Sequence, residues 1–197
     1  MSIDLTSHLP HLDVLRKAAA GCHAAVNQTY GGYLPYEYHL RLTASFAARF
    51  IRLASVADDE VETLFAAAYF HDTLEDARLT YNDLTHLLER LNAEHGLSVN
   101  VHEAAEAVYA LTNDKGRTRA ERAGERYYAG IRATRFAPFL KMCDRLANIA
   151  YSTQQFPPQR MADVYASEMP HFVASIGGVP QEMVDLAYKL LENKVEL

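Results

Sequence analysis

The chain has 197 residues, 49% of them apolar and 22% charged, with a formal net charge of −6. This composition excludes wholesale disorder, collagen-like sequence and a disulfide mini-scaffold, and the acidity argues against general nucleic-acid binding. No basic start precedes an apolar run and no apolar stretch approaches the roughly 18 residues of a membrane span, so a cytoplasmic protein that engages no membrane is expected.

Ala, Leu, Arg and Glu are abundant and alternating apolar runs are missing, which predicts an all-α helical bundle in one domain over residues 1–197. A first helix is expected over about residues 10–29, with Pro10 at its start. Tyr30-Gly31-Gly32-Tyr33-Leu34-Pro35 reads as a loop. A second helix follows over about 36–55, and Val56-Ala57-Asp58-Asp59 starts a third that carries Leu64, Ala67, Ala68 and His71. Thr80, with Asp83 three residues on, caps a fourth helix that Gly96 ends. Further helices are expected over about 99–112, 118–132 and 136–152, before the break at Phe156-Pro157-Pro158. The last two, about 158–175 and from 180 onward, are divided by Gly177-Gly178. Cys22 and Cys143 fall within apolar helical patterns and read as free core thiols.

Charge is unevenly placed. Residues 114–135 carry a net +4, including Lys115, Arg117, Arg119 and Arg122, and the rest of the chain carries −10. A local basic segment on an acidic protein suits a small anionic ligand. The same residues also form i,i+4 pairs such as Arg117 with Glu121, so a solvated helix face is the competing reading.

The richest stretch is His71-Asp72-Thr73-Leu74-Glu75-Asp76, which ends the apolar helix Leu64-Phe65-Ala66-Ala67-Ala68-Tyr69-Phe70. Three acids and an imidazole at a core helix end are unfavourable unless solvated or neutralised by a cation. Two other segments supply matching misfits: Pro35-Tyr36-Glu37-Tyr38-His39, and Asp144 inside Lys141-Met142-Cys143-Asp144-Arg145-Leu146-Ala147-Asn148. Asn148 lies one turn after Asp144, on the same face. His8, His11, His23, His86, His95, His102 and His171 read as packing or surface residues, His23 near the surface end of the first helix. Tyr127, Tyr128 and Tyr165 read as core, and Tyr151, two turns after Asp144, as a candidate pocket border.

An isolated His, a His-Asp pair and a distant Asp in a helical chain resemble the pattern of HD-domain metal phosphohydrolases. His71-Asp72-Thr73-Leu74-Glu75-Asp76 is similar to the HDxxED motif of the RelA/SpoT-type alarmone hydrolases, and Asn27-Gln28 with Pro35-Tyr36-Glu37-Tyr38-His39 to that family's glutamine–proline–tyrosine–histidine segment. Lys141 to Asn148 resembles its K-x-x-DRLxN helix, and Leu111-Thr112-Asn113-Asp114-Lys115 sits at its threonine–lysine turn. The resemblance spans about residues 20–155, with the helices from 158 to 197 beyond it, and leaves no length for a synthetase domain.

The resemblance implies one Mn²⁺ per chain, held by His39, His71, Asp72 and Asp144, a donor set that also suits Fe, Co or Zn. It implies a catalytic role for Glu75 and Asp76 beside the attacking water, and substrate contact for Asn148. Tyr30-Gly31 stands where bifunctional members carry an Arg-Lys pair, so Tyr30 is expected to stack on a purine, with Lys115, Arg117, Arg119 and Arg122 holding phosphates. The implied function is hydrolysis of the 3′-pyrophosphate of (p)ppGpp to GDP or GTP. The changed Tyr30-Gly31 segment keeps open another small nucleotide substrate: (p)ppApp, the 2′-phosphate of NADPH, or a nucleoside monophosphate.

Overall fold

The computed structural model describes residues 3–113, 117–154 and 160–192, without the side chains of residues 119 and 120. A 3-10 turn at Leu5–His8 leads into α1 (Leu9–Ala25), with Pro10 in the first turn as expected. α1 ends before residue 29 because Asn27 adopts a left-handed φ of 56°. The segment read as a loop closes instead into a small antiparallel hairpin, β1 (Thr29–Tyr30) with β2 (Leu34–Pro35), in which Thr29 opposes Pro35 and Tyr30 opposes Leu34.

α2 (Glu37–Phe50) is followed by a 3-10 turn at Ile51–Leu53 and another at Asp58–Glu60, so α3 (Val61–Phe70) starts later than its sequence signal. α4 (Tyr81–His95) begins on the expected Thr80–Asp83 capping box and ends on left-handed Gly96. α5 (Val101–Leu111) is capped by Asn100. The single helix expected over 118–132 is two, α6 (Arg119–Arg122) and α7 (Glu125–Ala133), because Gly124 is extended and serves as the N-cap of the second. α8 (Ala137–Gln154), α9 (Arg160–Ile176) and α10 (Gln181–Leu191) complete an all-α bundle. No helix among the described residues is long and apolar enough to cross a membrane.

Burial explains the arrangement. All ten residues of α3 are buried, and α1, α2 and α5 pack around it. A helix apolar all round has no solvent face and belongs in the interior. Its one acid, Glu62, accepts the Ser98 amide at 2.6 Å and faces the His11 ring at 2.6 Å, so the buried charge is paired. α8 runs against α2 on its other side and is enclosed by α9, α10, α5 and α7. α2, α3 and α8 therefore meet with their faces turned inward, and the His39, His71, Asp72 and Asp144 cluster sits at that junction. Cys22 and Cys143 are free.

The hairpin turn is fitted to α8. Gly31 and Gly32 both have positive φ (61° and 86°), but only at Gly31 does an added Cβ overlap a neighbour, the Tyr151 hydroxyl. Gly31→Ala is expected to cost roughly 2–4 kcal/mol, combining left-handed strain with overpacking. Gly32→Ala, with open space around it, should cost roughly 1 kcal/mol from strain alone. Thermal unfolding of the two variants side by side checks this, and equal losses would contradict the packing of the turn on Tyr151.

Candidate metal centre

His39 lies in the first turn of α2, and His71 is the residue on which α3 ends. The Thr73 amide and hydroxyl both bond back to the Phe70 carbonyl, at 2.9 and 2.7 Å, and the Asp76 amide bonds to the Asp72 carbonyl at 2.8 Å. This tight exit from the helix lets two adjacent side chains, His71 and Asp72, converge on one point. The His39 Nε2 lies 3.1 Å from the His71 Nε2 and 3.3 Å from Asp72 Oδ2, which is 3.0 Å from the His71 Nε2. Asp144, from α8, places Oδ1 3.3 Å from the His39 Nε2 and 3.8 Å from that of His71.

The donors fit a cation. His71 Nδ1 faces the Ala68 carbonyl at 2.9 Å, which fixes the proton there and leaves the Nε2 lone pair facing His39. Two imidazole nitrogens 3.1 Å apart, flanked by two carboxylates, need a proton or a positive ion between them. Neighbouring ligands of an ion with bonds of roughly 2.0–2.1 Å lie about 3.0–3.3 Å apart, the spacing among His39, His71 and Asp72 and from His39 to Asp144, whereas His71 and Asp144 are 3.8 Å apart. His39, His71 and Asp72 form a group that can hold a metal ion, and Asp144 faces the same point. Without one, burial disfavours charge on His71, but Asp72 and Asp144 outweigh it and raise its pKa to about 10. Burial likewise opposes the Asp72 and Asp144 carboxylates, which their cationic neighbours nevertheless hold well below the usual range.

Around this centre lies a cavity of about 400 Å³, walled by residues of α6, α7, α8 and α9, by Asn113 beyond the end of α5, and by residues of the centre itself. Both members of the acidic pair line it. Glu75 is held by Asn113, whose side-chain amide donates at 3.0 and 3.1 Å and whose backbone N–H donates at 3.3 Å. Asp76 lies 2.9 Å from the Tyr36 hydroxyl, which is also 2.6 Å from Asp72 Oδ2. Burial and the Asp72 charge raise the Asp76 pKa. Asn148 is on the wall, donating to Asp144 Oδ1 at 2.6 Å and accepting from the Tyr30 hydroxyl at 2.9 Å.

The other expected contacts divide. Arg122 lines the cavity, and its buried Nε has no hydrogen-bond partner among the described residues. Arg117 is exposed, its backbone N–H held by Glu121 at 2.7 Å, and it is not among the wall residues. Lys115 and the side chain of Arg119 lie outside the described residues. Tyr30 stands behind the wall, stacked on His39 at 4.8 Å and against Tyr151 at 4.5 Å, so its ring braces a metal-facing imidazole.

Several residues enter the site without a sequence-level assignment. Tyr36 links Asp72 to Asp76, and Lys141 Nζ lies 3.0 Å from Asp144 Oδ2. Both fall inside the quoted motifs, and the i,i+3 spacing of Lys141 and Asp144 was the available signal. Tyr127, Tyr128 and Tyr165 are buried, yet line the cavity, as does His171. His23 is fully buried, not near a surface, because its ring stacks on Tyr36 at 4.2 Å; burial lowers its pKa to about 4. No family model and no curated protein matches this chain.

Proposed function

We propose that this chain is a metal-dependent phosphohydrolase of the HD-domain type, acting on the 3′-pyrophosphate of (p)ppGpp to give GDP or GTP and pyrophosphate. The observation that carries the reading is the convergence of His39, His71, Asp72 and Asp144 at the floor of a cavity that also exposes Glu75, Asp76 and Arg122. Two imidazoles and two carboxylates would hold the ion, with Mn²⁺ as the working assignment. When bound, a divalent ion there supplies Lewis-acid polarisation of a phosphate oxygen and a water of lowered pKa.

The chain's own residues do the rest. Glu75, fixed by three hydrogen bonds from Asn113, is presented to the cavity as an acceptor that orients water and takes its proton. Asp76 stands behind it, oriented by Tyr36. Arg122 offers a guanidinium to phosphate oxygens, where charge-assisted bonds are about twice as strong as neutral ones. Asn148 is steadied by Tyr30 and Asp144 on the substrate side.

Purified Mn²⁺-loaded protein should convert ppGpp to GDP and pyrophosphate, seen by product chromatography, with ppApp and NADPH run alongside. Turnover of one of those two in place of ppGpp would keep the phosphohydrolase and replace its substrate. Inertness of the metal-loaded protein toward all three would overturn the reading.

A further inference from the structure

Enclosed polar atoms with nothing to bond gather behind the metal centre, on the side away from the cavity. Among the described residues, His39 Nδ1, Thr43 Oγ1 and both ring nitrogens of His23 are buried without a hydrogen-bond partner. Buried polar groups are paired with protein or with ordered water in the large majority of cases, so three such side chains in one place call for a common cause.

The three are neighbours. Thr43 lies one turn after His39 on α2, where Cβ atoms are roughly 5–6 Å apart. Helical side chains lean toward the helix N-terminus, which carries the Thr43 hydroxyl toward the His39 ring. His23 comes from the last turn of α1, which packs on α2. Its ring stacks on Tyr36 at 4.2 Å, and the Tyr36 ring meets that of His39 at 5.5 Å. Neither His23 nor Thr43 is among the cavity-wall residues, so contact with a substrate does not account for them.

The two metal-facing imidazoles differ on their far sides. His71 Nδ1 faces the Ala68 carbonyl at 2.9 Å. His39 also turns Nε2 to the centre, so its proton belongs on Nδ1 as well, yet no acceptor among the described residues meets it. A metal-binding histidine almost always donates its other N–H to a carboxylate, a carbonyl or a water. Water is the acceptor left, and a buried water typically makes about three hydrogen bonds. Here it would accept from His39 Nδ1–H, donate to the unprotonated nitrogen of His23 and share its second hydrogen with the Thr43 hydroxyl. Burial keeps the His23 ring neutral, and a neutral imidazole has one nitrogen free to accept.

We propose that His23 and Thr43 are positioning residues of the metal centre, together holding an enclosed water that takes the Nδ1 proton of His39 and fixes that ring with its Nε2 lone pair toward the ion. This rests on the metal-dependent reading of the site and is independent of which nucleotide is cleaved.

The test is calorimetric titration of the full metal-free chain with Mn²⁺, and thermal unfolding of the same metal-free samples, for wild type, Thr43→Val, Thr43→Ser and His23→Phe. Thr43→Val and His23→Phe should each weaken Mn²⁺ about tenfold, at the low end of the range for loss of a ligand's outer partner. The double variant should be little weaker than either single one, because both remove the same water. Thr43→Ser restores the hydroxyl and should bind within about twofold of wild type. Metal-free His23→Phe should unfold below wild type, since the water and His39 lose a partner. An imidazole that bonds to nothing would instead be improved by an apolar ring, and the unfolding temperature would rise. That rise, wild-type affinity in Thr43→Val or His23→Phe, or equal losses in Thr43→Ser and Thr43→Val, overturns the inference. If His23→Phe does not fold, the two Thr43 variants decide. A wild type that binds no Mn²⁺ overturns this inference and the proposed function together. Inertness toward nucleotides with the Mn²⁺ losses intact overturns the function alone, and turnover of ppGpp without those losses overturns the inference alone.

Discussion

Asp72→Ala should lose metal and hydrolysis together. Removing even an outer partner of a metal ligand weakens binding about 10–100-fold, and Asp72 faces both imidazoles directly, so its loss should exceed about 100-fold. His71→Ala should behave alike, since it removes the nitrogen that the Ala68 carbonyl aims at the site. A readout independent of catalysis is thermal unfolding after chelator treatment and Mn²⁺ addition. At a hundredfold excess over the dissociation constant, a ligand of the native state adds about 2.7 kcal/mol. For a chain of this size that is a rise in Tm of roughly 5–10 °C. Wild type should show the rise and both variants should not. A full Mn²⁺ response in Asp72→Ala would mean that the ion, if any, is held elsewhere.

Glu75→Ala should separate binding from chemistry. Glu75 bonds to Asn113 across the cavity mouth and makes no contact with the imidazoles. Its loss should therefore leave Mn²⁺ content and the thermal response near wild type. Turnover should fall about 10²–10⁴-fold, the range for removing a positioned general base. A variant that loses its metal in proportion to its activity would assign Glu75 to the ion and not to the water.

Much of this was legible because the site breaks the pattern of its own helices. Asp144 sits among Leu140, Met142, Cys143, Leu146 and Ala147 on the buried side of α8, and His71-Asp72 ends a helix buried on every side, so each stands out as a polar group lacking an obvious reason. Capping chemistry at Thr80 and Gly96 was likewise local and therefore readable. The hairpin at β1 and β2 was not, because two paired residues on each side of a glycine turn leave no periodicity to detect. The division between α6 and α7 turns on the extended backbone of a single residue, Gly124. Lys141 was passed over because a lysine on an amphipathic helix ordinarily reaches solvent. Only the packing of α5, α7 and α9 around α8 shows that it is enclosed. The same holds for Tyr30: its ring braces His39 through a turn whose geometry depends on Tyr151, more than a hundred residues away in sequence.

The meeting of α2, α3 and α8 has a consequence for how the molecule is made. The four metal-facing groups come from positions 39, 71, 72 and 144, and no two of these helices alone bring all four together. A nascent chain that has not yet supplied α8 offers His39, His71 and Asp72 with the fourth side open. The complete cluster exists only after the longest-range contacts of the core have formed, contacts whose loop-closure entropy must be met first. A metal held by all four groups would be captured late, by a chain already folded, and a stalled or truncated product lacking α8 would offer only the three-residue group of His39, His71 and Asp72.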